Sequence, residues 1–188
     1  MMSAFVGGRP DDREERLAHL FEVFVRKGLR HGVVDLARAE GGSDVLGVAV
    51  WSGPGRRGDA IAHQLRDLSS YARAFGLRRL LGARALEGVL HAARPCEPHW
   101  YLAVIGVHTA GRGRGVGSAL LKARLSTIDR SGAGAPAYLE ASTERSAALY
   151  ASFGFTPAGT IAGFPPQVEP IAMWRPGAGD RNLLGQQR

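Results

Sequence analysis

From Gly111 to Gly117 every second residue is glycine, and this short stretch constrains the fold more than any other part of the chain. Before it, His99 to Val107 is rich in Trp, Tyr, Val and Ile, the side chains that fit a pleated strand. After it, Leu120, Leu121, Ala123, Leu125 and Ile128 recur at helical spacing. The segment therefore reads as a buried strand running through a tight glycine turn into a helix. Glycines permit positive φ and let a ligand approach the main chain closely. The first helical turn adds unpaired N–H groups and the positive end of the helix dipole, so the turn is built to receive phosphate. Arg112 and Arg114 add charge beside it.

Two common phosphate loops do not fit. A P-loop requires a lysine that this turn lacks, and a dinucleotide fingerprint fails in both registers, since the sixth position is Val116 or Ser118 rather than glycine. What stands here is Arg112-x-x-Gly115-x-Gly117.

The remaining sequence fills in a mixed α/β pattern. Asp11 and Asp12 can cap a helix to about Gly28, with Leu17, Leu20, Phe21, Phe24 and Val25 on one face and Gly28 or Gly32 as its stop. Val33–Ala37 and Val45–Trp51 form a hairpin across Gly41-Gly42-Ser43-Asp44. Helices are expected from Asp59 to Phe75 and from Leu77 to Ala93. A strand over Ala137–Ala141, a helix from Thr143 to Gly154, and a hairpin of Phe155–Ile161 with Val168–Trp174 complete the order. At 188 residues the chain suits one domain, expected over 1–175, followed by a loose tail from 176 to 188.

Composition narrows the classes. The single cysteine, Cys96, cannot form an internal disulfide, and no apolar run reaches membrane-spanning length. A polar start without a signal peptide points to the cytoplasm. The net charge of +7 is almost all arginine, with Lys27 and Lys122 the only lysines. That suggests an anionic ligand, but there is no basic tail or aromatic-basic repeat, and nucleic-acid binding rests on charge alone. The six histidines and the cysteine form no metal-ligand pattern.

The glycine turn resembles the acyl-CoA signature of the Gcn5-related N-acetyltransferase (GNAT) superfamily. Successive blocks strengthen the resemblance: Pro98-His99-Trp100-Tyr101-Leu102, Gly106-Val107, Gly117-Ser118-Ala119-Leu120-Leu121, Tyr138-Leu139-Glu140-Ala141-Ser142, and Leu149-Tyr150-Ala151-Ser152-Phe153-Gly154-Phe155. They look most like the branch that includes puromycin N-acetyltransferase. The resemblance implies a mostly antiparallel sheet with one splayed parallel pair, here His99–Val107 and Ala137–Ala141, and helices on both faces. It also implies acetyl-CoA as co-substrate, no metal, and a small-molecule primary amine as acceptor, attacked directly in a ternary complex. Neither nucleic acid nor membrane is an expected partner, and a homodimer is compatible.

Carried over residue by residue, Ile105, Gly106 and Val107 would pair with the pantetheine arm, and the Val107 N–H would face the thioester oxygen. Arg112, Gly113, Arg114, Gly115, Val116, Gly117 and Ser118 would cradle the pyrophosphate. Tyr150 matches the family's acid, although it also sits where a core tyrosine would. Glu140 is the candidate base, and its alternative is an ion pair with Arg145 or another arginine. His99 and His108 are weaker candidates, with His108 placed to shape the turn.

Three departures stand out. Ser146 replaces a frequent asparagine and can still hydrogen-bond to the coenzyme; Thr109 replaces a frequent proline; and the family's first strand and helix look absent, with Ser3–Val6 as a remnant. The unpaired edge this would leave favours a subunit contact. The departures also motivate an alternative, a non-catalytic acyl-CoA-binding module or sensor.

Overall fold

The computed structural model describes residues 10–54, 77–131, 134–165 and 168–177. The expected helix over 59–75 and the Ser3–Val6 segment lie outside these residues. Helix α1 (Pro10–His31) runs directly into β1 (Gly32–Arg38), which pairs antiparallel with β2 (Val45–Ser52). Helix α2 (Leu77–Ala93) precedes β3 (Trp100–Val107). The glycine turn, with a 3-10 turn over Thr109–Gly111, leads into α3 (Val116–Arg130). Then come β4 (Ala137–Ala141), α4 (Glu144–Ala151), β5 (Thr156–Thr160) and β6 (Ile171–Arg175). The described sheet has the order β1-β2-β3-β4-β6-β5, and every neighbouring pair is antiparallel except β3–β4.

Helices cover both faces. On one, α3 and α4 pack Leu120, Leu121, Leu125, Ile128 and Tyr150 against Ala49, Trp51, Leu102, Leu139 and Met173. On the other, α2 brings Leu86, Val89 and Leu90 onto Tyr101, Tyr138, Ile161 and Phe164. Helix α1 also lies on this second face, over Val34 and Val50. Of the two glycines expected as its stop, Gly32 ends it and Gly28 does not. The helix continues through Gly28, where an added Cβ would stand 2.6 Å from Val50 Cγ1, so this glycine serves close packing. Gly32 makes the abrupt change from helix to strand, since a Cβ there would lie 1.9 Å from the Trp51 carbonyl oxygen. Val23, absent from the expected apolar face, is among the most buried residues of α1.

The register of β3 contains the feature that shapes the centre of the molecule. Val50 pairs with Val104 but Trp51 pairs with Leu102, so Ala103 is an extra residue, a β-bulge. The bulge reverses the alternation of β3. Leu102 and Ile105, three residues apart, consequently both face the α3 side. Backbone directions agree. The Trp100 N–H donates to Pro136 O on the β4 side, whereas the His108 N–H donates to Leu46 O on the β2 side. An even separation would give both amides the same direction without the bulge.

The far ends of α3 and β6 are tied by one guanidinium. Arg175 forms a two-pronged pair with Asp129 at 3.0 and 2.7 Å and donates its Nε–H to Phe153 O at 3.0 Å. It thereby links α3, the α4–β5 turn and the last strand. Asp129→Ala leaves this buried cation without its charge partner. Because Asp129 is itself a third exposed, the expected loss is about 2 kcal/mol, below the full penalty for an entirely buried pair. Urea unfolding measures it, and an unchanged midpoint would show that the pair contributes nothing.

Candidate active site

The parallel pair opens almost as soon as it forms. Its ladder holds only Trp100↔Ala137 and Tyr101↔Tyr138, while β3 continues to Val107 and β4 to Ala141. The result is a fork in which, among the described residues, the edge of β3 along one arm is unpaired. Since the His108 amide points to β2, strand alternation turns the Val107 and Ile105 amides the other way, into the fork. Both belong to the stretch that the sequence resemblance assigned to the pantetheine arm, whereas the amide of Gly106 between them points to β2. The bulge at Ala103 gives Ile105 and Val107 their direction.

At the open end of β3 stands the glycine turn. His108 is a structural cap: its Nδ1 accepts the Ala110 N–H at 3.3 Å. Gly111 is buried, with Leu46 O 3.1 Å from where a Cβ would be. Gly113 and Gly115 have φ of +73° and +75°, a region costly for any other L-residue. Gly115 is the N-cap of α3 and offers no side-chain cap. The amides of Arg112 and Arg114 donate within the turn, to Thr109 O and Gly111 O. The amides left by the helix geometry are those of Gly115, Val116, Gly117 and Ser118, because the first intrahelical bond runs from Ala119 N to Gly115 O. This is narrower than the Arg112–Ser118 expectation. The arginines contribute charge from exposed side chains, with the Arg114 guanidinium reaching Ala110 O at 3.5 Å.

Ser146 is occupied locally. Its Oγ accepts the Thr143 N–H at 3.1 Å, and its own N–H donates to Thr143 Oγ1 at 3.1 Å, a reciprocal capping box at the start of α4. Tyr150, one turn before the end of α4, is buried on the α3 side with its ring edge-on to Phe155. Burial pushes its pKa up to about 12, so it holds its proton throughout the neutral range.

Glu140 lies on the opposite face, two residues past the last paired position of the fork. Its side chain is 6% exposed, and its partner is Arg94, not Arg145. Arg94 Nε–H donates to Oε1 at 3.3 Å, and the Tyr101 hydroxyl donates to Oε2 at 2.7 Å. The guanidinium also lies 3.7 Å from the centre of the Tyr101 ring, a cation–π contact. Burial raises the Glu140 pKa above the ordinary carboxylate range, and Arg94 and Tyr101 pull it back without cancelling the shift. The Tyr138 ring stacks on Tyr101, and its buried hydroxyl has no hydrogen-bond partner among the described residues. His99 is packed edge-on against Tyr138 and Trp174, with Nδ1 2.6 Å from Glu97 O. Both histidines thus have structural contacts.

Sequence reasoning missed Arg94 and Tyr101. Tyr101 carried a usable signal: a parallel pair aligned at Tyr101 and Tyr138 puts Tyr101 on the face of Glu140. Arg94 carried none, because it approaches from 46 residues away.

Helix amides and a strand edge left unpaired among the described residues, with a tyrosine and a carboxylate on opposite faces of the fork, make up a candidate acyl-CoA-dependent transferase site. Comparison with known proteins agrees. Residues 72–157 match the acetyltransferase (GNAT) domain family. A solved structure from Corynebacterium glutamicum, described as histone acetyltransferase HPA2 and related acetyltransferase, is 31% identical over 91% of this chain and 79% of that one, with a TM-score of 0.66. The chain belongs to the GNAT acetyltransferases. An agmatine N-acetyltransferase shares the fold at 17% identity and a TM-score of 0.54, over 92% of this chain and 85% of that one. The polyamine N-acetyltransferase of Drosophila melanogaster does so at 18% and 0.52, over 89% and 81%.

Family membership makes the chain an N-acetyltransferase and implies acetyl-CoA as its donor. The site fits that donor: among the described residues, the first amides of α3 are left for the diphosphate and the β3 edge is left for the amide-bearing arm. Among the described residues no helix is long and apolar enough to cross a membrane, and no cluster of potential metal ligands occurs.

Proposed function

We propose that the enzyme transfers an acetyl group to the primary amine of a small molecule by direct attack within a ternary complex. The observation that carries this reading is the fork, with Glu140 on one face and Tyr150 on the other. Acetyl-CoA supplies the activated acyl group as a thioester. The amides of Gly115 to Ser118, with Arg112, Gly113 and Arg114 around them, hold its diphosphate. Ile105, Gly106 and Val107 align the arm, and the Val107 N–H is the donor for charge developing on the carbonyl oxygen. Ser146 acts indirectly, holding the start of α4 through its capping box with Thr143.

Glu140 removes the proton from the incoming ammonium, through a water if the distance requires one. A carboxylate whose pKa burial raises is a stronger base than an ordinary surface one. Tyr150 directs its retained proton at the departing sulfur. Direct transfer is favoured over a covalent intermediate because the sequence offers no suitable nucleophile. Cys96 is exposed and lies between two prolines, with no histidine at the spacing of a nucleophile motif.

The small-amine class is supported by the fold shared with an agmatine and a polyamine acetyltransferase. The motif blocks add a likeness to the puromycin N-acetyltransferase branch. The test is a panel of agmatine, spermidine, phenylethylamine, puromycin and free glycine, with thiol release and product mass as readouts. Thiol release, with a product heavier by one acetyl group, from at least one amine is the expected result. Acetylation restricted to peptide or protein amines would overturn the small-molecule assignment.

A further inference from the structure

The Arg94–Tyr101–Glu140 cluster contains more than a base and an incidental ion pair. It bridges the point where β3 and β4 separate. Tyr101 is the last paired residue of β3, and Glu140 is beyond the pairing on β4, so the 2.7 Å hydrogen bond between them crosses the opening fork. Arg94 joins from a third element, the segment just after α2, and lies over the Tyr101 ring while bonding Glu140. Each carboxylate oxygen has one donor fixed to it. An oxygen with two lone pairs then has one left, whose direction is set by the donor already bound. On the strand across from β3, Ala172 of β6 stands opposite Glu140 and brings no charge. Among the described residues, the titratable groups acting on this carboxylate are Arg94 from the post-α2 segment, Tyr101 from β3 and Tyr138 from β4 itself.

We propose that Arg94 and Tyr101 are positioning residues that fix the Glu140 carboxylate at the branch of the sheet and maintain it in the charged, proton-accepting form. The inference rests on the reading of Glu140 as the base. In the step concerned, an N–H bond of the acceptor's ammonium breaks and an O–H bond forms on Glu140. The electron pair stays on nitrogen, which attacks the carbonyl carbon. Two fixed donors favour the carboxylate over the carboxylic acid, because both bonds are strongest to the charged form. Burial opposes them. Removing either donor must therefore raise the pH at which Glu140 loses its proton.

The experiment follows that pH directly, on the full chain with glutamate Cδ labelled with 13C. E140Q identifies the resonance, and its pH titration is recorded by NMR in the unmodified chain, Tyr101→Phe, Arg94→Gln and Arg94→Lys. The midpoint is expected to move upward in Tyr101→Phe and in Arg94→Gln, and to return towards its original value in Arg94→Lys, which restores a cation. Unmoved midpoints in folded Tyr101→Phe and Arg94→Gln proteins would overturn the proposal and leave the two residues as packing. If Tyr101→Phe fails to fold, the two Arg94 variants decide the matter alone. The underlying reading is tested separately. E140Q acting at the unmodified rate on an amine from the panel would remove Glu140 from the base role, whatever the titration shows.

Discussion

Tyr150→Phe is expected to lower kcat by about 10²–10³-fold while changing the KM for acetyl-CoA by less than about threefold. Tyr150 sits in the core on the α3 side, and loss of solvent holds its pKa at about 12. At neutral pH the hydroxyl is fully protonated and can only donate. A thiol is more acidic than such a phenol, so complete proton transfer to the sulfur is uphill. In the proposed role the hydroxyl is chiefly a hydrogen-bond donor to charge that exists only as the carbon–sulfur bond breaks. An interaction made in the transition state and not in the ground state changes kcat without changing affinity. Phenylalanine keeps the edge-on ring contact with Phe155, so thermal unfolding should move little. Steady-state kinetics beside a melting curve separates the two effects. An unchanged kcat would return Tyr150 to the core.

The second large effect is on coenzyme affinity and runs opposite to stability. Ser118→Asp places a carboxylate in the first turn of α3, where the N-terminal dipole favours negative charge and no side chain caps the helix. The folded protein should be as stable as the parent or slightly more so. The same charge lies within a few ångströms of the site proposed for the diphosphate. Repulsion of this kind near a protein surface is worth about 3 kcal/mol per unit charge, enough to raise the Kd for acetyl-CoA by about 100-fold or more. Calorimetry and thermal melting on the same preparation test both signs. Parent-like affinity would place the diphosphate elsewhere.

Much of this site can be read from the sequence because its parts are local. The glycine turn, the helix that follows and the capped start of α4 each depend on residues a few positions apart. The faces of Leu139 and Glu140 follow from simple alternation on β4. The long-range parts are not legible in the same way. The Ala103 bulge falls within an unbroken run of strand-forming residues, with no glycine or proline to mark it, yet it turns Ile105 and Val107 towards the fork. Glu140 could have paired with any of many arginines. Its choice of Arg94 over the nearby Arg145 depends on how α2 docks, which periodicity does not encode. Gly28 shows the converse error: a glycine near a helix end reads as a stop, whereas here it lets α1 approach β2 closely.

The central claim is that the fork and the α3 N-terminus hold acetyl-CoA for use by this chain. The most direct measurement is a calorimetric titration of acetyl-CoA into the purified protein, with Ser118→Asp run in parallel. The account predicts one site per chain with micromolar affinity, lost or strongly weakened in the variant. No binding heat at any tested temperature, or equal binding by both proteins, would contradict it.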